Sequence, residues 1–451
     1  MATERTDAAS LGPFDVACVV VGGIIGVGIF FTPQRVAAAV DGPEQVIAAW
    51  CLGGVLAVLG ALVFASLANR VPGHGGTFVY IERAFGPAPA FLYGWANWLV
   101  IQSGALGLIG LVMVDYLDRA IHGPGHQLEM GVKVGLAAAA ILLFTGLNLL
   151  GLGVGKRVQN LFSVVKTGLV FGIVALALWV QGDPHGVAVA PADGAGRGWL
   201  MAMAGAMLPV LFSFGGWQQG AFLAGAARRP GRDVSVGIIA GVSVVVAAYI
   251  SINLAYLSLL GFNGAVESTA IADAAVRAAV EPTGYGDLAG RAVSLAVVIS
   301  ALGIMNTICM APPFVLHAMA RKGLFLASVG RLHERTGAPV VAVLVQGLWA
   351  FCLLIIVYLL AADAVAALDF LLAGVVFVDW LFYGACGLAL LRLRADAAGG
   401  AWRGVVAVAF ALAATAVMVG AIWTAPTASL AGVGIAALGV PAYWLVRRRD
   451  G

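Results

Sequence analysis

Of the 451 residues, 61% are apolar and only 10% are charged, and the mean hydropathy is +0.99. Soluble domains carry about a quarter charged residues, so this composition excludes a soluble globular protein and points to the bilayer. The net charge of +3 is small, and the positions of the basic residues say more than their sum. The sequence shows neither a nucleotide loop of the GxxxxGK[ST] type nor any nucleic-acid motif. Cys18, Cys51, Cys309, Cys352 and Cys386 all fall in apolar runs without CxxC or Cys/His spacing, and read as small buried apolar residues.

In chain order, residues 1–13 read as a polar N-terminal tail rather than a cleavable signal, since no basic leader runs into a short apolar core. Runs of about 20 apolar residues, the length of a membrane helix, then give twelve expected spans: 14–40, 45–68, 88–117, 130–151, 158–180, 199–226, 233–260, 289–317, 339–361, 364–391, 403–424 and 428–446. Residues 447–451 form a basic C-terminal tail. The connection 69–87 opens with a Gly/Pro turn and continues as a short amphipathic piece. Residues 261–288 have room for one or two short helices. Residues 318–338 hold the densest basic cluster, a topology signal suited to lipid headgroups.

Basic residues concentrate on the cytoplasmic side of bacterial membrane proteins. With the N-terminus inside, only Arg35, Arg119, Lys133, Arg197, Arg277 and Arg291 fall outside. Lys166 lies within a span, and the remaining 18 of the 25 Lys and Arg residues are cytoplasmic. Both termini are therefore expected in the cytoplasm of a multi-pass protein, and the alanine- and glycine-heavy usage suits a bacterial inner membrane.

Two spans carry glycine clusters in corresponding places: GGIIGVGIF at 22–30 in the first and FSFGGWQQ at 212–219 in the sixth. The plainer reading is close helix packing, which small residues permit. The alternative is a pair of helix breaks, expected at Gly22–Gly28 and at Ser213–Gly216 with Pro209 one turn earlier. Unwound backbone is tolerated at membrane depth only where it lines a protected cavity. Matched breaks in two halves mark the binding site of a transporter built from inverted repeats. Spans 1–5 (14–180) and 6–10 (199–391) would be the two halves, with spans 11–12 (403–446) as an appendage. A broken helix offers N–H groups and partial positive charge at one end and free carbonyls at the other. Two such breaks fit the carboxylate and ammonium of an α-amino acid without any charged side chain.

Two ionisable residues fall well inside spans. Lys166 either snorkels to the cytoplasmic surface or pairs internally with carbonyls near Gly22 and Gly23, since a buried ammonium in the bilayer needs a partner. Asp379, in FVFVDWLFYG, either pairs locally in a wet cavity or meets a polar, cationic or proton-bearing group. His317 and the Asn306–Thr307 pair are weaker signals. Aromatic residues near the breaks, Phe212, Trp217 and Trp380, are packing residues or a gate over a bound solute.

The segments VVVGGIIGVGIFFTP (19–33), PGHGGTFVYIERAFGPAPAFLYGW (72–95), FSFGGWQ (212–218), MARKGLF (319–325) and WLFYG (380–384) resemble the amino acid–polyamine–organocation superfamily, and within it the L-type amino acid transporters. The resemblance covers about residues 14–395. It implies an all-α membrane protein of the LeuT-type fold, with a 5+5 inverted repeat, discontinuous helices 1 and 6, and alternating access to a central site. It implies that the Ile24 carbonyl faces the substrate ammonium, helped by the Phe212 and Gly215 carbonyls beside Ser213. The N–H groups around Gly26, Val27 and Gly28 would hold the carboxylate, and Phe212 would be the outer gate. Trp217, Gln218, Asp379 and Trp380 would border the side-chain pocket. Lys166, with the Gly22 carbonyl, would stand where related carriers hold sodium. Val27 replaces the family's usual Ser, and Gln218 and Asp379 stand where Asn is common.

The leading expectation is a sodium-independent exchanger of neutral L-amino acids and not an enzyme. The alternatives are a proton-coupled carrier of cationic amino acids or polyamines and a non-transporting amino-acid sensor. The expected partners are the amino-acid substrate and membrane lipid, with no nucleic acid, and the protein would be a monomer or homodimer. The loop DRAIHGPGHQL (118–128) lacks the Cys through which animal members bind a glycoprotein, so no covalent partner is expected. Neither a cofactor nor a metal is expected.

Overall fold

The computed structural model describes residues 11–71, 73, 75–180, 198–360, 364–393 and 401–447. Of the expected tails it therefore describes only residues 11–13 and Arg447; residues 1–10 and 448–451 lie outside the described residues, as does Arg197. The described chain is helical throughout. The first span is two helices, α1 (Pro13–Ile24) and α2 (Gly28–Ala39), bent by 44° at the break between them. Then follow α3 (Pro43–Arg70) and the short surface helix α4 (Thr77–Phe85). The third span runs as α5 (Pro87–Ala96), a π-helical turn (Asn97–Gln102) and α6 (Ser103–His122). Helices α7 (Met130–Leu149) and α8 (Leu152–Trp179) close the first half.

The second half opens with α9 (Trp199–Phe214) and α10 (Gln218–Phe222), again separated by a break. It continues through α11 (Pro230–Glu267), the connecting helix α12 (Ile271–Val280), α13 (Gly286–Met310) and α14 (Pro313–Arg321). Helices α15 (Val340–Leu360), α16 (Ala364–Arg392), α17 (Ala401–Thr424) and α18 (Pro426–Arg447) complete the chain.

Among the described residues, ten helices are long and apolar enough to cross a bilayer, or eleven with α1 and α2 taken as one span. The sixth expected crossing differs from the rest: α9 has 16 residues, short of a full span, and the chain beyond its break forms only a five-residue helix. The first break falls within the expected Gly22–Gly28 and is narrower than it, and the second overlaps the expected Ser213–Gly216 but ends one residue later. Gly22 and Gly23 remain helical and the unwound residues are Ile25–Val27; in α9 the helix holds to Phe214 and the break is Gly215–Trp217. Glycines inside a helix buried on all sides lose little by staying helical when neighbouring chain packs against them. Helix α11 is interrupted by a kink at Gly261, whose φ of 68° and ψ of 176° are not helical, so the membrane crossing ends at the expected residue 260 and a short further helix follows to Glu267.

The exposed large side chains, among them Leu143, Leu161, Leu178, Val405, Leu412 and Leu438, are apolar, as a lipid-facing belt requires. Cys51 and Cys352 belong to that exposed surface, contrary to the expectation that all five cysteines are buried, while Cys18, Cys309 and Cys386 are buried.

Loops expected on one face do meet. The Leu11 N–H donates to the Ala226 carbonyl and the Arg228 N–H to the Leu11 carbonyl, at 2.9 and 3.0 Å. Arg70 donates to the Leu393 carbonyl at 3.1 Å, and Lys322 pairs with Glu82 at 3.0 Å. At the opposite face Arg119 donates to Thr269 at 2.9 Å and Arg291 to the Ile121 carbonyl at 2.7 Å.

Helix α1 is held in a groove of glycines. Cβ atoms at Gly237 and Gly241 of α11 would lie 2.5 Å from Val16 Cβ and 2.8 Å from Val20 Cγ1, and one at Gly220 of α10 would lie 2.9 Å from Val20. Gly237→Leu should therefore overpack this contact and destabilise by about 1–3 kcal/mol. Thermal unfolding followed by intrinsic fluorescence should show it. Gly135→Leu, on an exposed face of α7 with nothing within 4 Å, should leave the midpoint unchanged.

Candidate functional site

The two breaks face each other across the middle of the molecule, and their backbones touch. Gly216 has φ 135°, a conformation that L side chains rarely adopt, and a Cβ there would lie 2.5 Å from the Gly23 carbonyl oxygen. The Tyr249 hydroxyl, fully buried on α11, lies 2.8 Å from the Ile24 carbonyl and 3.2 Å from the Ser213 carbonyl. One side chain thus donates to the open ends of both α1 and α9. Ser213 Oγ lies 2.6 Å from Thr32 Oγ1, and Thr32 also reaches the Gly28 carbonyl at 2.9 Å. The Gly216 N–H donates to Gln218 Oε1 at 3.1 Å. Among the described residues, the N–H groups of Gly26 and Val27 have no protein acceptor. Buried backbone donors are almost always paired, so these two are free for a ligand.

Around the breaks lies a narrow cavity that is partly open to solvent. Its walls include Ile24, Val27, Gly28, Phe212, Ser213, Gly215, Gln218, Asp379 and Trp380 of the sequence-derived set. Phe212 packs edge-on against Phe31, with ring centroids 6.0 Å apart. The half-buried Asp379 carboxylate accepts from the Tyr383 hydroxyl at 3.3 Å.

Two members of that set sit elsewhere. Gly26 turns toward α13, where a Cβ would meet Ile304 Cδ1 at 2.7 Å. Trp217 is fully buried behind the wall, against Gly60, Trp380 and Tyr383 rather than in the cavity.

Lys166 and Gly22 form a separate pair beside the cavity. The buried Lys166 ammonium donates to the Gly22 carbonyl at 2.6 Å. Around it α8 is stitched to α1 and α13: Ser163 donates to the Cys18 carbonyl at 2.7 Å, and Thr307 to Gln159 Oε1 at 2.6 Å. Asn306 joins the same network through Gln159 and Asn148.

Three polar cavity-lining residues escaped the sequence reading, Gln102, Gln219 and Tyr383, as did Tyr249 behind the breaks. The π-helical turn of the third span is what carries Gln102 to the wall, since an extra residue per turn rotates the face that follows. Gln102 donates to Asn97 Oδ1 at 3.0 Å and accepts from Gln219 Nε2 at 3.3 Å. Gln219 Oε1 is buried at the wall without a protein donor, an acceptor available to a ligand. Isolated amides in otherwise apolar spans are a usable sequence signal for Gln102 and Gln219; nothing marks Tyr249 among the chain's nine tyrosines.

A helical membrane protein whose cavity lies between two broken helices has the architecture of a secondary transporter. The amino acid permease family model matches residues 11–445, and the chain belongs to that family, within the amino acid–polyamine–organocation superfamily. It is 29% identical over 382 residues to the b(0,+)-type amino acid transporter 1 of Mus musculus, covering 84% of this chain and 74% of that protein. It is 28% identical over 383 residues to the serine/threonine exchanger SteT of Bacillus subtilis, covering 84% and 82%. The large neutral amino acids transporter small subunit 2 of Mus musculus is 24% identical over 454 residues, covering 95% and 79%. This is a multi-pass membrane transporter of amino acids.

Removing the hydroxyl that joins the two breaks leaves two buried carbonyls short of a donor, at a cost of about 1–3 kcal/mol. Tyr249→Phe should lower the unfolding midpoint of the purified protein. It should also weaken amino-acid-induced thermal stabilisation several-fold. Wild-type values for both would mean that the hydroxyl does not tie the breaks together.

Proposed function

We propose that the protein exchanges neutral L-amino acids across the bacterial inner membrane by alternating access and without sodium. The observation that carries this reading is the buried Lys166 ammonium on the Gly22 carbonyl. A fixed protein cation at the end of the first half-helix supplies positive charge there without an ion taken from solution. The substrate carboxylate is assigned to the free Val27 N–H with the start of α2 at Gly28, both at the cavity wall, and its ammonium to the Ile24, Phe212 and Gly215 carbonyls. Phe212 closes the site. Gln102, Gln219 and Trp380 border the side chain, and the two glutamine amides favour small hydroxylated or amide cargo over purely aliphatic cargo.

In this reading residues 14–180 and 199–391 are the inverted five-helix halves, and 403–446 is a packing or dimerisation element of a monomer or homodimer. Both tails (1–13 and 447–451) and the basic loops are cytoplasmic, which is supported by the meeting of loops along one face and by the bias of Lys and Arg. The chain works without a cofactor or a covalent partner subunit. A second reading has one specific support: the Asp379 carboxylate faces the cavity with only the Tyr383 hydroxyl as a described partner, which suits a cationic side chain.

Counterflow in proteoliposomes decides between them. Exchange of serine, alanine or leucine should proceed at the same rate when choline replaces sodium. Loss of most uptake would overturn sodium independence, and preference for arginine or putrescine would favour the second reading. Lys166→Ala should slow exchange at least tenfold while folded yield, judged by size-exclusion profile, stays near wild type. Normal exchange in that variant would remove the cation role.

A further inference from the structure

Away from the cavity, three metal-ligating side chains converge at the loop joining the third and fourth crossings. Asp118 lies near the end of α6 and is 3% exposed. Its Oδ2 accepts the Leu128 N–H at 3.0 Å, which pins the returning loop. Its Oδ1 faces His122 Nδ1 at 2.7 Å and His126 Nδ1 at 2.6 Å. Helical spacing places His122 one turn beyond Asp118. Gly123 and Gly125, at φ 84° and 91°, fold the chain back so that His126 stacks beside it with ring centroids 4.1 Å apart. The three ligand atoms all lie within 4.8 Å of one another, and both histidines are about half exposed, at 43% and 45%.

We propose that Asp118, His122 and His126 form a site for a divalent transition-metal ion, with Zn²⁺ the best match, which braces the outer end of the third crossing against its loop. One carboxylate and two imidazoles suit zinc, which binds nitrogen and oxygen ligands at about 2.0–2.2 Å and completes a tetrahedron with water. Neighbouring ligand atoms in such a tetrahedron are about 3.4 Å apart. The two rings must therefore draw back from Asp118 by somewhat less than an ångström, which half-exposed side chains at the last residue of α6 and on the glycine-hinged loop beyond it are free to do. Each Nδ1 then offers its lone pair, and the ring proton moves to Nε2. No net charge need be lost or gained by the protein. The Leu128 N–H on the second carboxylate oxygen holds the ligand's orientation, as partners of metal-binding groups commonly do. Neither the transport cavity nor Lys166 takes part in the site, so it stands independently of the proposed exchange.

The test is zinc chloride titrated into chelator-treated, detergent-purified full-length protein against a chromophoric zinc indicator. One zinc per chain should bind with micromolar or tighter affinity and raise the unfolding midpoint by several degrees. His122→Ala/His126→Ala keeps the chain's four other histidines and should lose both effects, whereas His333→Ala should keep them. His122→Gln and His126→Gln singly, which preserve bulk and a polar contact to Asp118, should each weaken binding at least tenfold. Absence of this binding in the wild type would overturn the proposal, as would an unchanged stoichiometry in a folded double variant.

Discussion

The architecture follows from one constraint: a peptide group in the middle of a bilayer has no water to bond to. Two helices of this chain nevertheless come apart there, so every freed carbonyl and N–H must find another partner. The Tyr249 hydroxyl answers for Ile24 and Ser213 together, Gln218 turns its own carbonyl back onto Gly216, and Lys166 takes Gly22. Among the described residues these groups leave the N–H pair at Gly26 and Val27 without a protein acceptor.

This view also separates residues that touch the cavity from residues that hold its shape. Trp217 is the last residue of a break yet packs away from the cavity, wedged against Gly60 and Trp380. Its bulk fixes where α10 leaves the unwound segment. The network of Gln159, Ser163, Asn306 and Thr307 performs the corresponding task for α8 and α13, binding both to the helical stem of α1. Polar side chains satisfied by one another inside a membrane protein specify one arrangement of helices, because any slip leaves several of them unpaired.

Much of this is legible in the sequence. Hydrophobic run length marks the crossings, and the glycine pairs at 22–23 and 215–216 mark the neighbourhood of both breaks. The register of the breaks is not legible, because it depends on which carbonyls find substitute donors on distant helices. Tyr249 is separated from Ile24 by 225 residues, and no local pattern distinguishes it from a packing tyrosine. Gln102 reaches the cavity through a π-helical turn, and the NWLVIQ segment reads as ordinary helix.

The short pairing of Leu11 with Ala226 and Arg228 has a mechanical consequence. It fastens the entry of α1 to the exit of α10, the inner segments on either side of the two unwound stretches. Fastened this way, the two stubs are joined by main-chain hydrogen bonds across 215 residues of sequence, from Leu11 to Ala226, with no side chain needed to link them.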